Sequence, residues 1–281
     1  MNVGADISSD SVKPQDVVLG LMGRAFESRQ SGNVIETAAT LEAALAAARK
    51  TPFEIEFQTR IQLATSLADA YLDTGEVEKA REMLAEESSF AEKISQVMQA
   101  TGTLPQKRAA MSGFLQVRDR STQVQLLGME SPEISVKEWL KGGITSLADL
   151  RGQVMVLEFW ATWCKPCQEM FPKLKELHEA ESSRGLEVIA LTRHYMAYGG
   201  SAESMREERQ LMLNMVEQHE VGFHVGVAPD ERLQTAFGAN GLPTIVLIDR
   251  AGIIQYAGPG EELEFHKKLQ QSLDSQASKT I

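Results

Sequence analysis

The sequence predicts an all-helical N-terminal part followed by an α/β part, and three observations carry that prediction. From residue 14 to about residue 99, apolar and small side chains recur at helical spacing. Beyond residue 124, short apolar runs rich in β formers alternate with amphipathic stretches, the pattern of a sheet with helices laid on its faces. The only two cysteines, Cys164 and Cys167, lie where the first of those runs ends and a helix begins.

Residues 1–13 are small and polar and read as a disordered leader. Residues 34–50 are alanine-rich, with Ile35, Ala38, Leu41, Ala44, Leu45 and Ala48 near one face of a helix. A second long helical stretch, 54–73, carries Phe57, Ile61, Ala64, Leu67, Ala68 and Tyr71 and is broken by Thr74-Gly75. A third runs from Glu76 toward Met98. Ala64, Leu67, Ala68, Tyr71, Gly75, Ala80 and Leu84 have the spacing of a tetratricopeptide-like helix-turn-helix, and the same template finds only a weak match 34 residues upstream. Residues 14–103 are therefore expected to form a small tetratricopeptide-like helical domain. It would serve as a docking surface for a protein partner, or as a cap that packs on the rest of the chain or on a second copy. Residues 104–123, polar and basic, read as a linker, and 124–281 as the α/β domain.

Length and charge exclude several classes. A chain of 281 residues with 43% hydrophobic and 24% charged side chains suits a two-domain protein. Its 28 basic and 39 acidic residues give a net charge of −11, with the acid excess in both halves, which argues against nucleic acid as a partner. No run approaches the roughly 18 apolar residues of a membrane span. The N-terminus lacks a basic n-region, so the chain reads either as cytoplasmic or as one whose signal peptide has been removed.

The chemistry points to residues 154–167. Val154-Met155-Val156-Leu157-Glu158-Phe159 reads as a buried strand, and Met170, Leu174 and Leu177 recur at helical spacing behind the cysteines. A thiol at a helix start meets unpaired N–H groups and the positive end of the dipole, so Cys164 should titrate as a stabilised thiolate. Lys165 adds a positive charge, Pro166 fits the first turn, and Cys167 is placed to resolve a mixed disulfide. Zinc binding would need ligands that no second C-x-x-C or Cys/His pair supplies. A purely structural disulfide would close too small a loop to constrain the unfolded chain much. No cofactor is implied. Glu158 is the anomaly in its strand: if buried without a cation it has a raised pKa and suits proton exchange near neutral pH, and if the strand is an edge it is merely exposed.

Several separated motifs agree in order with a known family. Phe159-Trp160-Ala161-Thr162-Trp163-Cys164-Lys165-Pro166-Cys167 is followed by Pro172, preceded by Thr145-Ser146-Leu147-Ala148-Asp149-Leu150-Arg151-Gly152, and succeeded by Gly241-Leu242-Pro243-Thr244 and Ile248-Asp249-Arg250-Ala251-Gly252. Over residues 124–281 the chain resembles the TlpA/ResA-like thiol-disulfide oxidoreductases of the thioredoxin fold, related to the AhpC/TSA superfamily. The resemblance implies a central mixed sheet flanked by helices. It implies a reductase acting on protein disulfides, fed by an electron-donating redox partner, with an extracytoplasmic location favoured. It further implies that Pro243 is cis and positions substrate with Leu242, that Trp163, Lys165 and Pro166 border the substrate site, and that Glu158 is the base that deprotonates Cys167. Many members of that branch carry a neutral residue in place of this glutamate.

The remaining elements follow from pattern. Residues 126–140 suggest a short hairpin, 186–191 a strand parallel to the first, 203–218 a helix, 223–227 a strand and 231–237 a short helix. The segment 195–200 reads as a flexible loop near the active-site rim. Strands at 245–249 and 253–256 are joined by a turn at Asp249-Arg250-Ala251-Gly252, and 261–273 closes the domain as an amphipathic helix. The five histidines, His178, His194, His219, His224 and His266, are scattered and none is placed beside Cys164 by a motif.

Overall fold

The computed structural model describes residues 13–144, 150–195, 201–260 and 263–275. The leader expected at 1–13, the 145–149 part of the motif ahead of the first strand and the 196–200 part of the rim loop lie almost wholly outside these residues. The chain divides between Val117 and Arg118 into two compact units.

The N-terminal unit is built from α1 (Pro14–Gln30), α2 (Val34–Lys50), α3 (Phe57–Asp73), α4 (Val77–Thr101) and the first half of α5 (Leu104–Leu126). Asn33 starts α2, its side chain accepting from Glu36 N. Gly75, at φ +78°, turns α3 into α4 where an L side chain would be strained. The inner faces are those the apolar spacing predicts: Ala38, Leu41, Ala44, Leu45 and Ala48 from α2, and Ile61, Ala64, Leu67 and Ala68 from α3, are buried. Ile35, expected with them, is 75% exposed. The apolar pattern misses a buried carboxylate. Glu87 of α4 accepts from Arg60 Nε at 2.6 Å and from Arg49 Nε at 2.9 Å, and the Arg60 guanidinium lies 3.5 Å over the Phe90 ring. Both Glu87 and Arg60 are nearly inaccessible, so removing the carboxylate would leave the Arg60 guanidinium buried without its ion-pair partner.

The stretch 104–123, expected as a linker, is helical throughout and lies within α5. Ala110, Val117 and Val124, seven residues apart, are its buried apolar residues. Asp119, Ser121 and Gln123 are buried too, and a helix that buries polar side chains shows little apolar periodicity.

The second unit is a six-stranded mixed sheet in the order β1-β4-β3-β2-β5-β6, with β1 (Glu138–Lys141), β2 (Val154–Phe159), β3 (Leu186–Thr192), β4 (His224–Val227), β5 (Thr244–Ile248) and β6 (Ile254–Gly258). The trio β2, β3 and β4 runs parallel, and β5 pairs antiparallel with β2 and β6. This is the thioredoxin-like arrangement the resemblance implied. The hairpin expected at 126–140 does not form: β1 pairs antiparallel with the sequence-distant β4, and Glu130 bridges Ile253. The turn at 249–252 is as expected, with Gly252 at φ +86° and the Asp249 carboxylate accepting from Ala251 N and Ile253 N.

Helices α6 (Lys165–Glu181), α7 (Ala202–Gln218) and α9 (Leu263–Asp274) contribute Phe171, Met212 and Leu269 to a core with Val154, Val156, Ala190 and Ile245. The opposite sheet face, Met155, Leu157, Phe159, Ile189 and Val246, packs with Leu233 of α8 (Arg232–Ala236) and with Phe237.

Replacing Glu87 by alanine leaves Arg60 buried without its carboxylate, and the helical unit should lose about 3–5 kcal/mol. Denaturant unfolding followed by far-ultraviolet circular dichroism checks this, and an unchanged transition would remove the pair from the forces holding the unit together.

Candidate active site

Strand β2 lies at the centre of the sheet and is buried on both faces. Its last turn of chain is fixed before the cysteines are reached. Trp160 N donates to Leu191 O at 3.0 Å, Thr192 Oγ1 donates to Trp160 O at 2.8 Å, and the Trp160 ring meets Phe171 edge-on at 5.0 Å. Cys164 N then donates to Ala161 O, and Gln168 Nε2 to Thr162 O, both at 3.0 Å. These bonds place Cys164 as the N-cap of α6, where its Sγ accepts from Cys167 N at 3.3 Å. The two cysteines are joined as a disulfide, S–S 2.04 Å.

Of the pair, Cys164 retains 4% accessibility and Cys167 none. Lys165 and Pro166, the first two residues of α6, are exposed. Trp163 is 58% exposed and stands edge-on to Tyr195, ring centroids 5.4 Å apart. The Leu242–Pro243 peptide is cis, as the resemblance implied, and Leu242 packs against both core clusters, one of which contains the two cysteines. The structure thus gathers Cys164, Cys167 and Leu242 in one packed neighbourhood, sets Trp163 on its rim, and leaves the Lys165 side chain to solvent.

Glu158 is fully buried, which rules out the exposed edge position. Its neighbours across the sheet are Ala190 and Ile245, both members of the cluster that holds the disulfide. Alternation along β2 therefore turns Glu158 toward the cysteine side, with Val154 and Val156. No protein group among the described residues hydrogen-bonds either carboxyl oxygen. Burial alone pushes its pKa well above the ordinary 4.5.

Two parts of the site are not visible from motifs. One is the support under Tyr195. Glu208, with a fully buried side chain, accepts from Tyr195 N at 2.8 Å and faces His194 Nδ1 at 3.1 Å. Arg193 lies 4.2 Å over the tyrosine ring and donates to Gln234, which in turn donates to the Tyr195 hydroxyl. The expected rim loop thus contributes at least its first residue to the site. The other is the hold on the loop before Pro243, where Thr244 Oγ1 donates to Gly241 O at 2.7 Å and Asp119 of α5 accepts two backbone N–H bonds. Glu208 and Asp119 are acids in polar stretches, and only a three-dimensional arrangement sets them apart from solvated charges.

The AhpC/TSA family profile matches residues 127–257. The thiol-disulfide oxidoreductase ResA of Bacillus thuringiensis (strain Al Hakam) is 32% identical over 136 residues, covering 48% of this chain and 71% of the relative. ResA of Bacillus subtilis (strain 168) is 29% identical over 125 residues, 44% of this chain and 63% of the relative. Among solved structures, a thiol-disulfide isomerase from Corynebacterium glutamicum aligns with 52% of this chain and 96% of its own at 23% identity, with a TM-score of 0.44.

Glu158 should leave a signature in the pH dependence of stability. The native state holds a proton that the unfolded chain releases above about pH 4.5, so stability falls as pH rises from there and goes on falling until the native carboxyl ionises. The slope approaches about 1.4 kcal/mol per pH unit. Glu158→Gln should abolish this slope, so that the variant gains on the wild type with rising pH; parallel stability curves would mean that the carboxyl is not held neutral.

Proposed function

This chain belongs to the ResA-like thiol-disulfide oxidoreductases, and on that premise we propose that it reduces protein disulfides through the Cys164/Cys167 pair. The observation that carries the assignment of roles is the difference in access: only Cys164 of the two has exposed surface, and it sits at the start of α6. In the reduced enzyme its thiolate would accept the Cys167 N–H and lie at the positive end of the helix.

The Cys164 thiolate attacks one sulfur of a substrate disulfide, forming a mixed disulfide and releasing the other sulfur as a thiolate. Cys167 then attacks Cys164 Sγ, its proton passing to Glu158 in the enzyme molecules whose Glu158 carboxyl is ionised. The Cys164–Cys167 bond forms, the mixed disulfide breaks, and the substrate leaves as a dithiol with two electrons gained. A dithiol donor must return two electrons to the enzyme. Trp163, Lys165 and Pro166 on one side and Leu242 and Pro243 on the other would border the bound substrate chain.

For the N-terminal unit we propose a partner-docking role through the tetratricopeptide-like hairpin α3–α4. A groove of about 410 Å³ lined by Glu42, Arg49, Leu67, Tyr71, Lys79 and Glu86 supports it, since both charge signs and an aromatic ring are offered together.

Two measurements test the redox reading. Cys167→Ser should trap substrate on Cys164 as a stable mixed disulfide visible on non-reducing gels, while Cys164→Ser traps nothing; trapping by the second variant would reverse the roles. Equilibration with glutathione or dithiothreitol buffers should give a potential near the thioredoxin end of the scale, about −270 mV, and a value near −120 mV would assign oxidation instead.

A further inference from the structure

We propose that Asp119 is the positioning residue of the substrate loop: its carboxylate, carried on α5, holds the backbone that leads into Leu242 and Pro243. This rests on the reading above that the Leu242–Pro243 segment borders the substrate chain.

The loop between α8 and β5 has backbone groups that neither element can satisfy, and such groups must find partners when they leave water. Helix α5 supplies them. Asp119 Oδ2 accepts from Asn240 N at 3.1 Å and from Gly241 N at 3.2 Å, and Oδ1 accepts from Asn240 Nδ2 at 3.0 Å. Arg118 Nη2 lies 3.4 Å from Oδ1. One helical turn further, Gln123 Nε2 donates to Gly238 O at 2.7 Å. Arg120 Nη1 donates to Ala257 O at 2.8 Å, on the strand paired with β5. The fit is close: Gly238 has φ +61°, and a Cβ there would collide with the Asp119 carbonyl oxygen.

The carboxylate is only 8% exposed, so its bonds to the two N–H groups are charge-assisted and largely protected from water. Two consecutive N–H donors on one carboxylate leave the Asn240-Gly241 backbone little freedom. From the other side, the Thr244 hydroxyl holds Gly241 O. Between these two clamps only Leu242 and Pro243 remain to face a substrate. Their geometry is set before substrate arrives, and the cost of ordering them does not fall on binding.

A purely structural role would merely anchor α5. The two roles separate by substrate size. With dithiothreitol as electron source, full-length Asp119→Ala should lose about tenfold in kcat/KM for insulin, carried mainly by KM, because an extended chain must align along the loop. Turnover of a small aromatic disulfide, alkylation of Cys164 by iodoacetamide and the reduction potential should stay at wild-type values. Asp119→Asn keeps one oxygen acceptor for the loop N–H groups and should recover most of the loss. Gly238→Ala, which forces α5 and the loop apart without touching the carboxylate, should reproduce the insulin defect. Unchanged insulin kinetics in Asp119→Ala, or an equal loss on the small disulfide, would overturn the inference. Failure of the wild type itself to reduce insulin would instead overturn the functional reading on which it rests.

Discussion

The central constraint is a strand of six residues buried on both faces. β2 has β3 on one side and β5 on the other, and all six of its residues are buried. Its even-numbered residues face the disulfide and its odd-numbered residues face the opposite cluster. A slip of one residue would exchange the two sets and carry Glu158 to the wrong side of the sheet. The same strand delivers the chain to Trp160, and Trp160 is tied to β3 by two hydrogen bonds before the cysteines follow. The position of Cys164 is thus inherited from a register.

Much of this was readable beforehand, for physical reasons that differ from place to place. Helix α2 shows its bounds because its buried residues are apolar and regularly spaced. Glu158 draws notice because an acid among Val, Met, Leu and Phe contradicts its surroundings. Pro243 draws notice because a proline opening a buried strand removes a donor. What escaped was polar and long-range. The second half of α5 packs through Asp119, Ser121 and Gln123, so its composition imitates a linker. β1 finds its partner more than eighty residues away, which local patterning does not encode. Glu87 and Arg60, and Glu208 under Tyr195, look like surface charges until the fold closes over them.

The buried acids of the molecule are handled in two opposite ways. Glu87, Glu208 and Asp119 keep protein partners close, and their role is to hold backbone or side chains in place. Glu158 has none among the described residues, and its isolation raises its affinity for a proton. Holding structure asks for a satisfied carboxylate; the proton exchange proposed for Glu158 asks for an unsatisfied one.

That isolation reaches into the electrochemistry. When the pair takes up two electrons, negative charge appears on sulfur in the cluster that Glu158 faces, and a carboxyl already reluctant to ionise becomes more so. In the pH range where the carboxyl is ionised beside the disulfide and protonated beside the thiolate, reduction takes up a proton at Glu158 along with the two electrons. Over that range the potential of the pair would fall more steeply with rising pH than the protons of the two thiols alone require.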